Sequence, residues 1–368
     1  MKVVVILPTY NERENILVLL GGLLAASQKI DHDVQYLIVD DSSPDGTADI
    51  VREFQKKHKE VHIIIGKKEG LGRALLRGMQ YAKEELEADI IVQMDADLSH
   101  DPANLPDFIH AIDHKADFVV GSRYIPGGSI PKDWGFDRKL FSILGNAIVR
   151  LGLGHLNVKD WTGGYRAYKS NYYDLFKKEM TEYTGYVFQI AFLHKSLTAG
   201  AKIEEVPIHF TDRLRGKSKI AKGEYITNVL WFVAKTRIEE CMQGTVGKFA
   251  VVGGIGFIIN TIALVGLVRF GLAPWMGSAI GAELAIISNF ILNNSWTFQA
   301  RKVSGKGLLP KFIQFNATSL GALAIQTGTV WLGTYLLGNG VYIYLYVGGV
   351  LLGMIWNYTM YSKVIWKK

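Results

Sequence analysis

IIVQMDADLSHDP, residues 90–102, decides how this 368-residue chain is read. A run of β-branched and long apolar residues breaks off into a polar loop whose carboxylates, Asp95 and Asp97, stand at i and i+2. In extended chain every second side chain shares one side, so both acids turn toward one pocket. The same pattern recurs upstream in VVVIL (3–7), YLIVD (36–40) and VHIII (61–65), each followed by a polar loop and helical periodicity, and downstream in DFVVG (117–121). This alternation over roughly the first 210 residues predicts an α/β domain, Rossmann-like, with a mostly parallel sheet. Ligands of such sheets sit outside the carboxyl ends of the strands. The residues that follow each run are therefore the candidates for chemistry.

Around Asp95, Ala96 and Asp97 the expected chemistry is diphosphate capture. A hard divalent cation, Mg²⁺ or Mn²⁺, held by one or two carboxylates keeps open positions for phosphate oxygens and neutralises a departing diphosphate. The first strand runs into Pro8, Tyr10, Asn11 and Glu12, and the second ends at Val39, Asp40 and Asp41 before Ser42 to Thr47. Glu12 or Asp40 can accept hydrogen bonds from a base or ribose, and Tyr10 can stack on the base. Asn11 and the 42–47 run can equally be helix caps and a turn. Lys68, Gly70, Gly72 and Arg73 open the next helix, whose free N–H groups suit an anion.

Length suggests two or three domains, at roughly one per ~150 residues, and charge separates them. From Gly244 onward nine Lys or Arg stand against one acid, Glu283, whereas the preceding residues carry 32 basic and 33 acidic side chains. The net charge of +7 therefore resides in the C-terminal third, which argues against nucleic acid as a partner. That third holds apolar segments near 246–270, 275–298, 312–337 and 341–366, each long enough for a hydrocarbon core that needs ~20 residues. Their small-residue patches (GGIG, GSAIGA, SLGALA, GGVLLG) suit close helix packing in lipid. Four transmembrane helices are expected. Lys248, Arg301, Lys302, Lys306, Lys311, Lys363, Lys367 and Lys368 flank one side and Arg269 alone the other, which places the basic side and the N-terminal domain in the cytoplasm. The resulting expectation is a multi-pass membrane protein with domains at 1–222, 223–243 (an interfacial amphipathic helix) and 244–368. Residues 137–154 have similar amphipathic character, with membrane-surface and core-packed placements both open. Glu283, inside the second span, is expected to be neutral or paired with Asn289, Asn293 or a neighbouring helix. The single cysteine, Cys241, forms no internal disulfide.

Read together, PTYNE (8–12), VDDSSPDGT (39–47), EGLGRA (69–74), MDADLSHDP (94–102), GSRY (121–124), WTGGYRAY (161–168), GYVFQ (185–189) and PIHFTDRLRGKSK (207–219) resemble family 2 glycosyltransferases of the GT-A fold. Among them the dolichyl-phosphate mannosyltransferases are the nearest. NFILNNSWTF (289–298) resembles the four-span GtrA-like membrane module. The resemblance implies inverting transfer of mannose from GDP-mannose to dolichyl phosphate, giving dolichyl β-D-mannosyl phosphate as a lipid-linked sugar donor. It implies Asp97 for the metal, with Asp95 on the metal or the nucleotide side, and Arg123, Arg138 and Ser142 for the acceptor phosphate. Arg213, Ser218 and Lys219 would belong to a mobile loop closing over the site, and Gln189 would support the donor. Arg138 can equally anchor the membrane surface. Relatives usually carry Glu two residues after that Gln; this chain has Ala191. Asp160 can contact the sugar or the metal shell, or only order its loop. An anionic phosphate acceptor needs no general base. Two alternatives stand beside this reading: glucosyl transfer from UDP-glucose to a polyprenyl phosphate, and a flippase for the lipid-linked sugar.

Overall fold

A computed structural model describes residues 1–212, 222–338 and 341–367, which form two compact units, Met1–Thr236 and Arg237–Lys368. In the first unit seven strands form one sheet in the order β3-β2-β1-β4-β6-β5-β7. They are β1 Lys2–Thr9, β2 Asp33–Asp40, β3 Val61–Ile65, β4 Ile90–Gln93, β5 Phe118–Ser122, β6 Arg166–Lys169 and β7 Ile203–Pro207. Every pairing is parallel except the two made by β6, which runs antiparallel between β4 and β5. The mostly parallel α/β expectation holds, with β6 and β7 added to the five strands read from the sequence.

The alternation along β1 shows why the sheet is covered on both faces. Val3, Val5 and Leu7 enter one apolar core with α1 (Ile16–Ser27), α2 (Thr47–Gln55) and α4 (Leu105–Asp113). Val4 and Ile6 enter the other, with α3 (Leu71–Glu84), the end of α5 (Phe136–Leu153), α6 (Asn171–Phe176), α7 (Gly185–Thr198) and part of α8 (Lys222–Gln243). A parallel sheet buried on both faces needs apolar residues at both parities, as VVVIL supplies. α3 lies so close to the sheet that a Cβ on Gly78 would come 2.7 Å from Ile6 and 2.9 Å from Val39.

Both segments read as amphipathic use one side for this core. α5 buries Asn146, Val149 and Leu153 and exposes Phe136, Phe141, Leu144 and Leu151; α8 buries Val229, Phe232 and Val233 and exposes Leu230, Trp231 and Ile238. Core packing and an exposed apolar side therefore coexist on each helix.

In the second unit α9 (Thr245–Arg269) packs along α10 (Pro274–Leu292), and α11 (Leu308–Leu337) along α12 (Tyr342–Met360). Among the described residues two helical stretches, Thr245–Arg269 and Gly305–Leu337 (α11 with the turn before it), are long and apolar enough to cross a membrane, where the sequence reading expects four spans. Asparagine and glycine interlock in the first pair: a Cβ at Gly256 would meet the Asn289 amide at 2.4 Å, and one at Gly281 the Asn260 amide at 2.5 Å. Asn289 thus packs on α9, while Glu283 lies on an exposed position of α10. Two of the flanking cations cap helix carbonyls: Arg301 donates to Ser362 O and Trp366 O, and Lys311 to Val364 O.

Candidate active site

The loops at the carboxyl ends of β1 and β2 are stitched together by their own polar residues. Asn11 N–H donates to Ser43 Oγ, Glu12 N–H to Thr47 Oγ1 and Arg13 N–H to Asp45 Oδ2. Asp45 also accepts from the N–H and hydroxyl of Thr47 at the start of α2. The 42–47 run therefore forms a turn that leads into α2, a role compatible with its place at the strand ends. Asp40 belongs to the same stitching: fully buried, its carboxylate accepts from Thr9 Oγ1 (2.9 Å), Ser43 N–H (2.8 Å) and Ser43 Oγ (2.6 Å). A carboxylate so engaged shapes the loop between β2 and α2. Glu12 likewise accepts from Asn15 Nδ2 at 2.8 Å.

Beside these loops Arg77 of α3 pairs with Asp41 at 2.5 Å; burial raises the Asp41 carboxyl above its usual range, against the pull of that arginine. Lys68 Nζ sits 3.5 Å from the centre of the Tyr10 ring, and Arg73 is exposed one turn along. Pro8 and Val39 are paired across β1 and β2 just before these loops. Gly72 is needed for packing, because a Cβ there would come 2.9 Å from Tyr183 O and 3.1 Å from Phe188.

After β4 the chain turns through Leu98, whose φ of 63° lies in the left-handed region. Asp97 is buried and its Oδ1 accepts from Ser99 N–H at 3.1 Å. Asp95 is half-buried, and its N–H donates to His100 Nδ1 at 3.2 Å, which places the imidazole proton on Nε2. Burial holds the His100 imidazole below its usual range, against the pull of Asp95 and Asp97. Ala96 is buried between the two acids. Gly164 lies alongside: a Cβ there would come within 3.1 to 3.4 Å of the Asp95 carboxylate. The glycine keeps a cradle open next to that carboxylate. Two acids with this clearance fit a hard cation that takes its remaining ligands from phosphate and water. Among the described residues no group of three or more His, Cys, Asp or Glu could hold a metal ion by itself.

Gly164 is positioned by the most heavily bonded residue of the site, Asp160. Its buried carboxylate accepts from Arg123 N–H (3.1 Å), Nε (2.7 Å) and Nη2 (2.7 Å), and from Thr162 and Gly163 N–H. Burial pushes the Asp160 carboxyl up, but the Arg123 charge and these bonds outweigh it and leave it below the usual carboxylate range. Arg123 also donates to Thr162 Oγ1, and its side chain is 8% exposed. Arg123, expected at the acceptor phosphate, is thus the counter-ion that this buried carboxylate requires. Glu205 accepts the N–H groups of Lys159 and Asp160, Asn146 Oδ1 accepts from Trp161 N–H, and Arg166 donates to Gly163 O, Trp161 O and Gln189 O. Burial lowers the Arg166 guanidinium to about 10, so it remains charged at neutral pH. Gln189 is buried and serves this frame through its carbonyl, and Ala191 is buried in the apolar core.

Arg138 occupies the first turn of α5. Its guanidinium stacks 3.9 Å from the centre of the Trp134 ring and forms a two-pronged pair with Asp212, both bonds 2.9 Å. Trp134 meets Phe210 edge-on, and Phe210 meets both His100 and the Arg123 guanidinium, so ring contacts link Arg138 to the Asp95 loop. Thr211 closes the link by bonding to Ser99 O and Leu98 O. One turn along α5, Ser142 Oγ lies 2.5 Å from the Tyr124 hydroxyl. Arg213, Ser218 and Lys219 lie outside the described residues. Asp212, Trp134, Phe210, His100, Arg77 and Glu205 are site residues that the sequence reading did not single out; His100, Phe210 and Asp212 stand inside quoted motifs.

Paired carboxylates on a strand-end loop of an α/β sheet, in a chain that also carries apolar helices long enough to cross a membrane, define a candidate enzyme site in a chain with a membrane-type helical region. Residues 4–179 match Glycosyl transferase family 2, and residues 248–366 match the GtrA/DPMS transmembrane domain. The whole chain is 31% identical to a dolichol-phosphate mannosyltransferase of Pyrococcus furiosus, covering 100% of this chain and 99% of that protein. An undecaprenyl-phosphate mannosyltransferase of Micrococcus luteus is 39% identical over 62% of this chain and 93% of its own length. A polyprenol monophosphomannose synthase of Mycolicibacterium smegmatis is 36% identical, covering 64% and 86%. The chain belongs to the family 2 glycosyl transferases and carries a GtrA/DPMS membrane domain.

Proposed function

We propose that this glycosyltransferase moves mannose from GDP-mannose to dolichyl phosphate or a related polyprenyl phosphate, with inversion. The observation that carries the reading is the end-to-end similarity to a dolichol-phosphate mannosyltransferase, which includes the membrane portion that a lipid acceptor calls for. The donor's base lies between Tyr10 and the β2 loop, its diphosphate beside Lys68, Arg73, Asp95 and Asp97. Asp95 and Asp97 hold a divalent ion, Mg²⁺ or Mn²⁺, which when bound neutralises charge on the departing diphosphate.

Arg138, held flat on Trp134, receives the acceptor phosphate from the lipid side, with Ser142 near it. An oxygen of that phosphate attacks the anomeric carbon as the bond to the nucleotide diphosphate breaks, a single in-line displacement. The nucleophile is already an anion, so no side chain has to take a proton. The frame of Asp160, Arg123 and Arg166 keeps Gly164 and the Asp95 cradle rigid. The four C-terminal helices span a membrane, with the catalytic domain on the cytoplasmic face that the basic flanks favour.

Incubating the full chain with a polyprenyl phosphate and radiolabelled GDP-mannose or UDP-glucose tests the donor. Label is expected in lipid from GDP-mannose; label moving only from UDP-glucose overturns the sugar assignment. Lipid translocation that survives in Asp97→Ala while no transfer is detected in any variant favours the flippase reading.

A further inference from the structure

The cation read as the acceptor-phosphate receptor already holds an anion of its own chain. Asp212 grips both terminal nitrogens of Arg138 at 2.9 Å, the fork geometry that guanidinium offers equally to carboxylate and phosphate. Both partners are partly exposed, 43% and 39%, so water or a soluble anion reaches the pair. Arg138 does not depend on Asp212 for its orientation, because the Trp134 ring supports the guanidinium from its face at 3.9 Å. Trp134 is itself buried against Phe210. Asp212 follows directly on Thr211, which is anchored to Ser99 O and Leu98 O, so the segment after β7 that delivers the carboxylate is tied to the loop bearing Asp95 and Asp97.

We propose that Asp212 is a built-in competitor for the acceptor-phosphate position on Arg138: the carboxylate occupies the fork between turnovers, is displaced by the incoming lipid phosphate, and takes the fork back from the product. The inference rests on Arg138 as the phosphate receptor and not on which sugar is transferred. Substrate and product share one lipid tail, so a site that only attracts would be held by its product. A competitor on the fork weakens every phosphate ligand of Arg138 by one common factor, since each has to displace the same carboxylate. Asp212 is thus a positioning residue that sets affinity and product release, and takes no part in bond making.

The signature of competition is an equal effect on ligands of different charge. Repulsion by a fixed carboxylate would instead act more strongly on a phosphate monoester than on a diester. The full chain in detergent is titrated calorimetrically with farnesyl phosphate and with its methyl diester. Asp212→Asn is expected to tighten both by the same factor, on the order of fivefold, which is what an exposed ion pair is worth. Asp212→Glu is expected to return both toward wild type, which separates charge from any folding defect. In an Arg138→Gln background, Asp and Asn at position 212 are expected to give equal affinities. Weaker or unchanged binding in Asp212→Asn, tightening confined to the monoester, or an effect that persists without Arg138 overturns the proposal, as does absence of binding throughout. Failure of the sugar assignment would appear separately, in the donor assay with wild-type protein.

Discussion

Replacing Asp160 by Asn removes the charge at the centre of the loop that frames Asp95, with nearly the same shape. The carboxylate is fully buried and accepts five hydrogen bonds, three of them from Arg123. An amide accepts at one position only. If its nitrogen takes the Oδ2 place, the bonds from Arg123 N–H and Nε are lost; if it takes the Oδ1 place, those from Arg123 Nη2, Thr162 and Gly163 are lost. Bonds to charged groups are worth about 1.5–3 kcal/mol each, and breaking a buried ion pair from one side costs about 3–5 kcal/mol. We expect Asp160→Asn to cost about 3–5 kcal/mol at neutral pH, because Arg123 is left buried without its counter-ion. The pH dependence fixes the cause. Asp160 has its folded carboxyl below the ordinary range, so its stabilisation is fully present above the unfolded value of about 3.9 and is lost as pH falls through the folded value. Urea unfolding of the full chain, followed by fluorescence, should give a constant gap between wild type and variant from about pH 5 to 8 and a shrinking gap below about pH 4. A gap under about 1 kcal/mol at pH 7, or one that widens on acidification, would refute the reasoning.

Gly164→Ala should leave stability nearly unchanged but raise the KM for the sugar nucleotide and the metal concentration needed, because its Cβ would come within 3.1 to 3.4 Å of the Asp95 carboxylate; steady-state kinetics at varied Mn²⁺ checks this. Gly78→Ala should cost about 1–3 kcal/mol through overpacking of α3 on Ile6 and Val39, seen as a lower unfolding midpoint. Gly256→Ala should displace the Asn289 amide and loosen α9 from α10, lowering the thermal midpoint of the detergent-solubilised chain more than the outward-facing Phe257→Ala.

Parts of this architecture were legible before any coordinates. Apolar runs at both parities announced a sheet buried on two faces, and the polar residues following each run marked where a ligand sits. β6 was not legible: RAYK is four residues long, follows a Gly-Gly turn and takes its place only by pairing antiparallel with both β4 and β5. Charge partners were hidden for a similar reason. Arg123 and Asp160 are 37 residues apart, and Arg138 and Asp212 are 74 apart, so no local spacing couples them. An isolated arginine in a sequence reads as available for phosphate, whereas the fold decides whether a carboxylate reaches it first. Asp40 shows the same effect at short range, since Ser43 is close enough to turn back onto it.

The claim on which the account depends is that Asp95 and Asp97 hold the donor's diphosphate for transfer to a lipid phosphate. Label transfer from GDP-mannose to polyprenyl phosphate, measured for wild type and for Asp97→Ala with and without a chelator, tests it most directly. The account predicts lipid-linked label in wild type only when a divalent ion is present, and a loss on the order of a hundredfold or more in Asp97→Ala. Transfer by Asp97→Ala at the wild-type rate, or transfer indifferent to the chelator, would contradict it.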